Sequence, residues 1–433
     1  MRKAAAALLA AGLCCLAAVD ASSRPAPSLS VPENAEARAA LRDTIFAPVR
    51  QAAAAPRRLI EQPGGAGKVL FETAVQDGAL FLVFKNQSTP GSSIARAGTF
   101  IIKRSLKDGS FLQAKVFLQS DPGCYLRIVP VSGGARAVMS LSLFGELLQK
   151  DIAVPAPFQD LLTSPVSRLV QLTASAVDWQ LVLPPPRTRG DERLGRVVAE
   201  LRRRLPRLGD AEDGAMDRDG RFVFIADGSP QDRPAAGSAA GGFNCSGFAK
   251  WVVDGFYGPL AGALTDIPLL KERSLPERGN RWSAPREELR DPYFGLDWSR
   301  NLARTLEQAR TGELPGVEAM DVRDVDLFPY VEDVGYPLDS LRTVLYILAR
   351  RDPGALYLGS ISSSRGSGPE GLRQHHHLVV LFPYVDQGGL FRCVVMERNA
   401  ESGVGSLAAR YPGSSVHLVR VGSDGEFAPP SVE

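Results

Sequence analysis

Gly241-Gly242-Phe243-Asn244-Cys245-Ser246-Gly247-Phe248-Ala249-Lys250-Trp251 reads as a loop that turns into a helix. Two glycines give the tight turn. Phe248, Trp251 and Val252 then recur at helical spacing, with Cys245 at the helix start. A thiol there lies beside unpaired backbone N–H groups and the positive end of the helix dipole. Both favour the nucleophilic thiolate, and the same N–H groups suit a developing oxyanion. The plainer alternative for Cys245 is a small buried hydrophobe.

Upstream, Asp191 to Leu205 predicts a helix with Leu194, Val197, Val198, Leu201 and Leu205 on one face, stopped by Pro206. Arg221 to Ile225 predicts a short strand, and Ala226 to Gly242 a Gly/Ser/Pro/Ala loop that delivers the chain to Cys245. Downstream, residues 258 to 335 are mixed and rich in Pro, Arg and Glu, with helical character over Asp297 to Arg310. They read as an insertion over one side of a core, serving as a lid or as decoration. Leu338 to Ala349 predicts an apolar helix stopped by Asp352-Pro353-Gly354. Ala355 to Ile361 predicts a strand, and Ser362 to Gly371 a Ser/Gly loop.

His375-His376-His377 then leads into the apolar run Leu378 to Phe382, which Pro383 is expected to end. Asp386-Gln387-Gly388-Gly389 is a hairpin-type turn, and Leu390 to Met396 returns to Glu397-Arg398-Asn399. An antiparallel hairpin sets His377 beside Glu397 or Asn399. Strand alternation gives Glu397 and Asn399 one face, and gives His375 and His377 one face with His376 opposite. His377 is thus the candidate base for Cys245, and Glu397 or Asn399 the group that fixes its tautomer. Three consecutive strand histidines point to alternate faces, which disfavours a shared metal ion. A solvent-facing polar strand start is the structural alternative. His417, in the last apolar strand, reads as structural.

The cysteine motif resembles that of the NlpC-type cell-wall peptidases. These typically carry Asp-Cys-Ser-Gly-Phe, where this chain has Asn244-Cys245-Ser246-Gly247-Phe248. Their histidine opens an aliphatic strand, as in His377-Leu378-Val379-Val380. The Glu397-x-Asn399 ending is more similar to the CHAP amidases. Both groups are papain-like cysteine hydrolases, and the similarity runs from about Asp191 to Gly422, outside the insertion. It implies a papain-like domain in which a cysteine-bearing helix packs on an antiparallel sheet. It also implies amide hydrolysis through Cys245 and His377, in peptidoglycan stem peptides or another peptide, without a cofactor. A non-catalytic envelope protein keeping the same fold for binding is the competing class.

Lys68 to about Leu183 has another texture. Short apolar runs at Val69–Phe71, Leu80–Phe84, Thr99–Ile102, Leu112–Leu118, Tyr125–Val131, Ala137–Phe144 and Trp179–Leu183 alternate with turn residues. This predicts an all-β sandwich or barrel. The expected fold is therefore α+β, with residues 66–185 a β-rich module and residues 186–433 a hydrolase domain carrying an insertion at about 258–335. Residues 22–65 form a leader and a short helix over Glu33 to Ala55. Pro184-Pro185-Pro186 reads as a linker.

Residues 1–21 read as a secretion signal. Arg2 and Lys3 precede an apolar core from Ala4 to Ala18 that is too short to span a bilayer, and the mature start falls near Ser22. Leu13 before Cys14 argues against a lipid anchor. The chain is expected in the envelope or outside the cell, with no integral membrane span. The net charge of +2 gives no field for nucleic acid, and Arg202-Arg203-Arg204 reads as a solvated helix face. Cys124, Cys245 and Cys393 remain after the signal, too few and too scattered for a disulfide framework or zinc signature.

Overall fold

A computed structural model of the chain describes residues 31–63, 67–87, 97–231, 241–274, 294–365 and 372–432. Residues 1–21, where the sequence predicts a secretion signal containing Cys14 and Cys15, lie outside the described residues. Among the described residues the protein is mixed α+β with two large antiparallel sheets. No described helix is long and apolar enough to cross a membrane.

The first sheet is an eight-stranded meander: β1 (Arg58–Glu61), β2 (Lys68–Gln76), β3 (Ala79–Gln87), β4 (Phe100–Ser105), β5 (Phe111–Phe117), β6 (Tyr125–Val131), β7 (Arg136–Leu143) and β8 (Glu146–Val154). Each strand pairs with the next, and β1 and β8 are its two edges, so this is an open sheet rather than the expected barrel or sandwich. Nor is the module all-β. Phe158–Leu161, Val166–Leu172 and Trp179–Val182 are helical, and the last of these stands where the sequence predicts a strand. Asp178 caps that turn by accepting from the Gln180 N–H, and Trp179 and Val182 supply its apolar face. The short helices before β1 contribute Ala37, Leu41, Ile45 and Ala52 to the same core, so residues 31–63 belong to this unit.

The second sheet runs in the order β9 (Tyr336–Pro337), β14 (Ser415–Val421), β10 (Leu356–Arg365), β11 (Leu372–Val385), β12 (Phe391–Glu397) and β13 (Ala400–Gly403). Side-chain alternation sends its residues into two cores. Tyr357, Val379, Leu381 and Val395 face the meander and helix α4 (Leu341–Arg351). Leu358, Leu378, Val380 and Met396 face helices α1 (Arg189–Arg204), α2 (Cys245–Ala261) and α3 (Phe294–Thr311). Helix α1 starts at a reciprocal cap between Thr188 and Asp191. Helix α3 is not an overlay as expected: Leu296, Trp298, Leu302 and Leu306 are core residues packed on α2.

Pro383 does not end β11, which continues to Val385 and pairs Pro383 with Cys393. Two residues on, the Val385 N–H leaves the β11–β12 ladder and donates to Asp191 Oδ1 at 2.8 Å. Position 383 has the same orientation, and β10 pairs with β11 only as far as Leu381. The N–H that proline lacks is therefore one the ladder does not use.

The two units meet around Tyr346 of α4. Its hydroxyl accepts from Gln119 Nε2 at 3.0 Å and donates to the Leu183 carbonyl at 3.0 Å. Its ring packs against Phe144 and Phe391. Tyr346→Phe keeps the packing and removes both bonds, while the Leu183 carbonyl keeps its bond from Arg350. It is expected to cost about 0.5–1.5 kcal/mol, read as a lower midpoint in urea with an unchanged slope.

Candidate active site

Cys245 is the first residue of α2 and is half-buried at the rim of a cleft of about 440 Å³. Asn244 caps the helix, its Oδ1 accepting from the Gly247 N–H at 2.8 Å. Asparagine performs this capping as well as aspartate does, without placing a carboxylate beside the Cys245 thiol. Gly247 is required by contact: a Cβ there would lie 1.9 Å from the Gly214 carbonyl oxygen. The Trp298 indole donates to the Ser246 carbonyl at 2.9 Å, so α3 holds the first turn of the cysteine helix in place. Further along α2 a buried Lys250–Asp254 pair at 2.5 Å is completed by the Thr265 N–H and hydroxyl.

The candidate base arrives on β11. The β10–β11 register runs Ile361 to His377 and then Ser362 to His375, leaving His376 as the extra residue of a β-bulge. The bulge breaks the alternation expected for the three histidines and re-aims them. His375 is buried, with Nε2 3.0 Å from the Asp333 carbonyl, and burial depresses its pKa well below the usual range. His376 and His377 both lie against the Tyr411 ring, with centroids 5.3 and 5.5 Å away.

His377 Nε2 donates to Glu397 Oε2 at 2.5 Å. Its other nitrogen, Nδ1, is left for the Cys245 thiol, which lines the same cleft. Burial works against charge on all three groups, and their mutual bonds outweigh it. Burial raises the Cys245 pKa, but the hydrogen bond and charge of His377, with the Leu378 N–H, bring it below the ordinary thiol value. His377 is held up at about 9 by Cys245 and Glu397 despite its burial. Burial raises Glu397, yet His377 and Arg410 hold it at about 2. The site therefore favours a thiolate–imidazolium pair over two neutral groups.

Of the two expected orienting groups, the structure brings Glu397 to His377 and leaves Asn399 out. Strand β12 ends at Glu397, and Asn399 is exposed in the turn to β13, so the two share no strand face. Arg398 makes that turn with a left-handed φ of 51° and bonds Asp210 at 3.0 Å.

Sequence reasoning missed the groups behind Glu397. Its Oε1 accepts from Ser402 Oγ at 3.0 Å and from Arg410 Nη2. Arg410 closes helix α5 (Val404–Arg410), and Tyr411 follows it. The signal available was a Ser and an Arg-Tyr pair shortly after the Glu, but no fixed spacing marks them.

Over residues 27–181 the chain is similar to a protein family described as a domain of unknown function, DUF8515. That stretch covers the meander and its flanking helices and contains none of the cleft residues. No curated protein matches the chain, and no solved structure matches it.

Proposed function

We propose that the protein is an exported cysteine hydrolase of papain-like arrangement that cleaves an amide bond, with peptidoglycan stem peptides as the substrate class. The observation that carries this reading is Cys245 and His377 lining one cleft, with His377 held by Glu397 behind it. A helix-start thiolate paired with an imidazolium, itself held by a buried carboxylate, is equipped for acyl transfer. The substrate class rests on the sequence resemblance and on the signal-like N-terminus.

In this mechanism Cys245 Sγ attacks the amide carbonyl carbon. The oxyanion meets the first-turn N–H groups of α2. The His377 Nδ1 proton passes to the amide nitrogen as the C–N bond breaks, releasing an amine and leaving a thioester on Cys245. Neutral His377 then takes a proton from water, whose oxygen attacks the thioester. The thiolate leaves, the carboxylic acid is released, and the Cys245 thiolate and His377 imidazolium are restored. Glu397 holds Nε2 throughout and stabilises the imidazolium.

The test is incubation with purified wall fragments followed by mass analysis. The expected products differ from substrate by one added water at an amide bond, and a Cys245→Ala preparation yields none. Intact fragments from the wild-type enzyme, with Cys245 no more reactive than an unfolded thiol, would leave a non-catalytic binding protein instead.

A further inference from the structure

The meander buries one face and leaves the other outside both cores. Val69, Phe71, Leu82, Phe84, Ile102, Val116 and Leu126 lie on the buried face. On the opposite face β3 to β6 carry Phe81, Lys103, Lys115, Phe117, Tyr125 and Arg127, half-buried or exposed. No hydrophobic element among the described residues packs over them.

The arrangement of charge there is unusual. Lys115 and Arg127 are direct cross-strand partners. Like charges so placed, about 5 Å apart, destabilise a sheet. Lys103 stands diagonally from Lys115, one strand over, because Ile101 is the residue opposite Lys115. None of these three cations has a carboxylate partner among the described residues. Glu72, opposite Val83 on this face, is engaged by Lys85 and Arg57. The aromatic rings hold the cations in place: Lys115 Nζ is 3.4 Å from the Tyr125 ring centre and 4.7 Å from that of Phe117. Lys103 Nζ is 5.3 Å from the centre of Phe81. Arg127 Nε donates to Gln113 Oε1 at 2.7 Å, which fixes its plane and leaves its other donors available.

We infer that this face of the meander binds a wall polymer carrying carboxylates along its length, and so holds the substrate of the cleft. The inference rests on the reading of the protein as a hydrolase of wall peptides. Three anchored cations without counter-charge on adjacent strands suit repeated carboxylates, which relieve the Lys115–Arg127 repulsion on binding. Single-stranded nucleic acid fits less well. It uses open ring faces for base stacking, and here the Tyr125 face is covered by the Lys115 ammonium.

The experiment uses the full chain with Cys245→Ala, so that binding is measured without turnover. Labelled poly-γ-glutamate is the carboxylate probe, dextran the neutral control and oligo-dT the phosphate control. Substituting Lys103→Gln, Lys115→Gln and Arg127→Gln together is expected to weaken poly-γ-glutamate binding at least tenfold and to flatten its salt dependence. With Cys245 intact, the triple variant keeps the wild-type rate of thiol alkylation, which reports a folded cleft. The inference is overturned if the triple variant binds as the parent does, if dextran binds equally well, or if oligo-dT binds more tightly than poly-γ-glutamate. Binding that survives while wall fragments stay uncut would remove only the hydrolase reading.

Discussion

His377→Ala is expected to slow alkylation of Cys245 at neutral pH by at least about tenfold and to lower amide hydrolysis by about a thousandfold or more, because base and nucleophile act as one unit. Removing the imidazole removes the largest influence that offsets the burial of the thiol, so its pKa is expected to rise. The wild-type profile follows from the same pair. Hydrolysis rises with pH as Cys245 ionises below the usual thiol value, then falls as His377 loses its proton through about 9 and no acid remains for the leaving amine. Alkylation needs no acid and should hold its plateau above that point. A wild-type alkylation profile with an ordinary thiol midpoint, unchanged in the variant, would contradict the pairing. The linkage to stability has a definite sign. The raised His377 pKa contributes stability fully below about 6.5, and this is lost as pH rises through about 9. The depressed Glu397 pKa contributes above about 4.5 and is lost as pH falls toward about 2.

Arg300→Met is expected to be the most destabilising single change, by about 3–5 kcal/mol, because removing one partner of a buried ionic cluster strands the others. Arg300 is fully buried on α3. Its guanidinium bonds Asp321 at 2.6 and 3.1 Å, Asp333 at 2.8 Å and Ser274 at 3.2 Å. Asp333 holds a left-handed φ of 54° and offers its carbonyl to His375 on β11, two residues from the base. The substitution should therefore disturb the bulge as well as the global midpoint. Chemical denaturation gives the first effect, and Cys245 alkylation below the transition gives the second. Near-wild-type stability in Arg300→Met would show that the cluster contributes nothing net. Replacing Arg300, Asp321 and Asp333 together by apolar residues of similar volume should recover part of the loss, with His417 then losing its buried carboxylate partner.

These two results bear on how much of the molecule could be read from its residues alone. The Cys245 helix start and the His377–Glu397 hairpin were legible because caps, turns and strand returns are local and have sequence signatures. The meander strands were legible too, but whether their sheet closes depends on edge geometry that no local pattern encodes. The role of α3 was hidden for a different reason. Arg300, Asp297 and Asp321 look like solvent-facing residues in a charged, proline-rich segment, and only tertiary pairing lets such groups be buried. The bulge at His376 was equally hidden, since one extra residue shifts every later side chain by a face without altering composition. Asn399 failed as an orienting group because the chain turns at Arg398, a position where nothing in the residue type announces a left-handed φ.

Strands β10 and β11 form a party wall: successive residues belong to different rooms. Tyr357 and Val379 serve the meander side, while Leu358 and Leu378 serve the side that holds the cysteine helix. Neither half could be cut away without leaving the other with a raw, greasy flank. The proline-rich crossing at residues 184–186 is thus a seam inside one body, and exchanging either half would require both sides of that wall to change together.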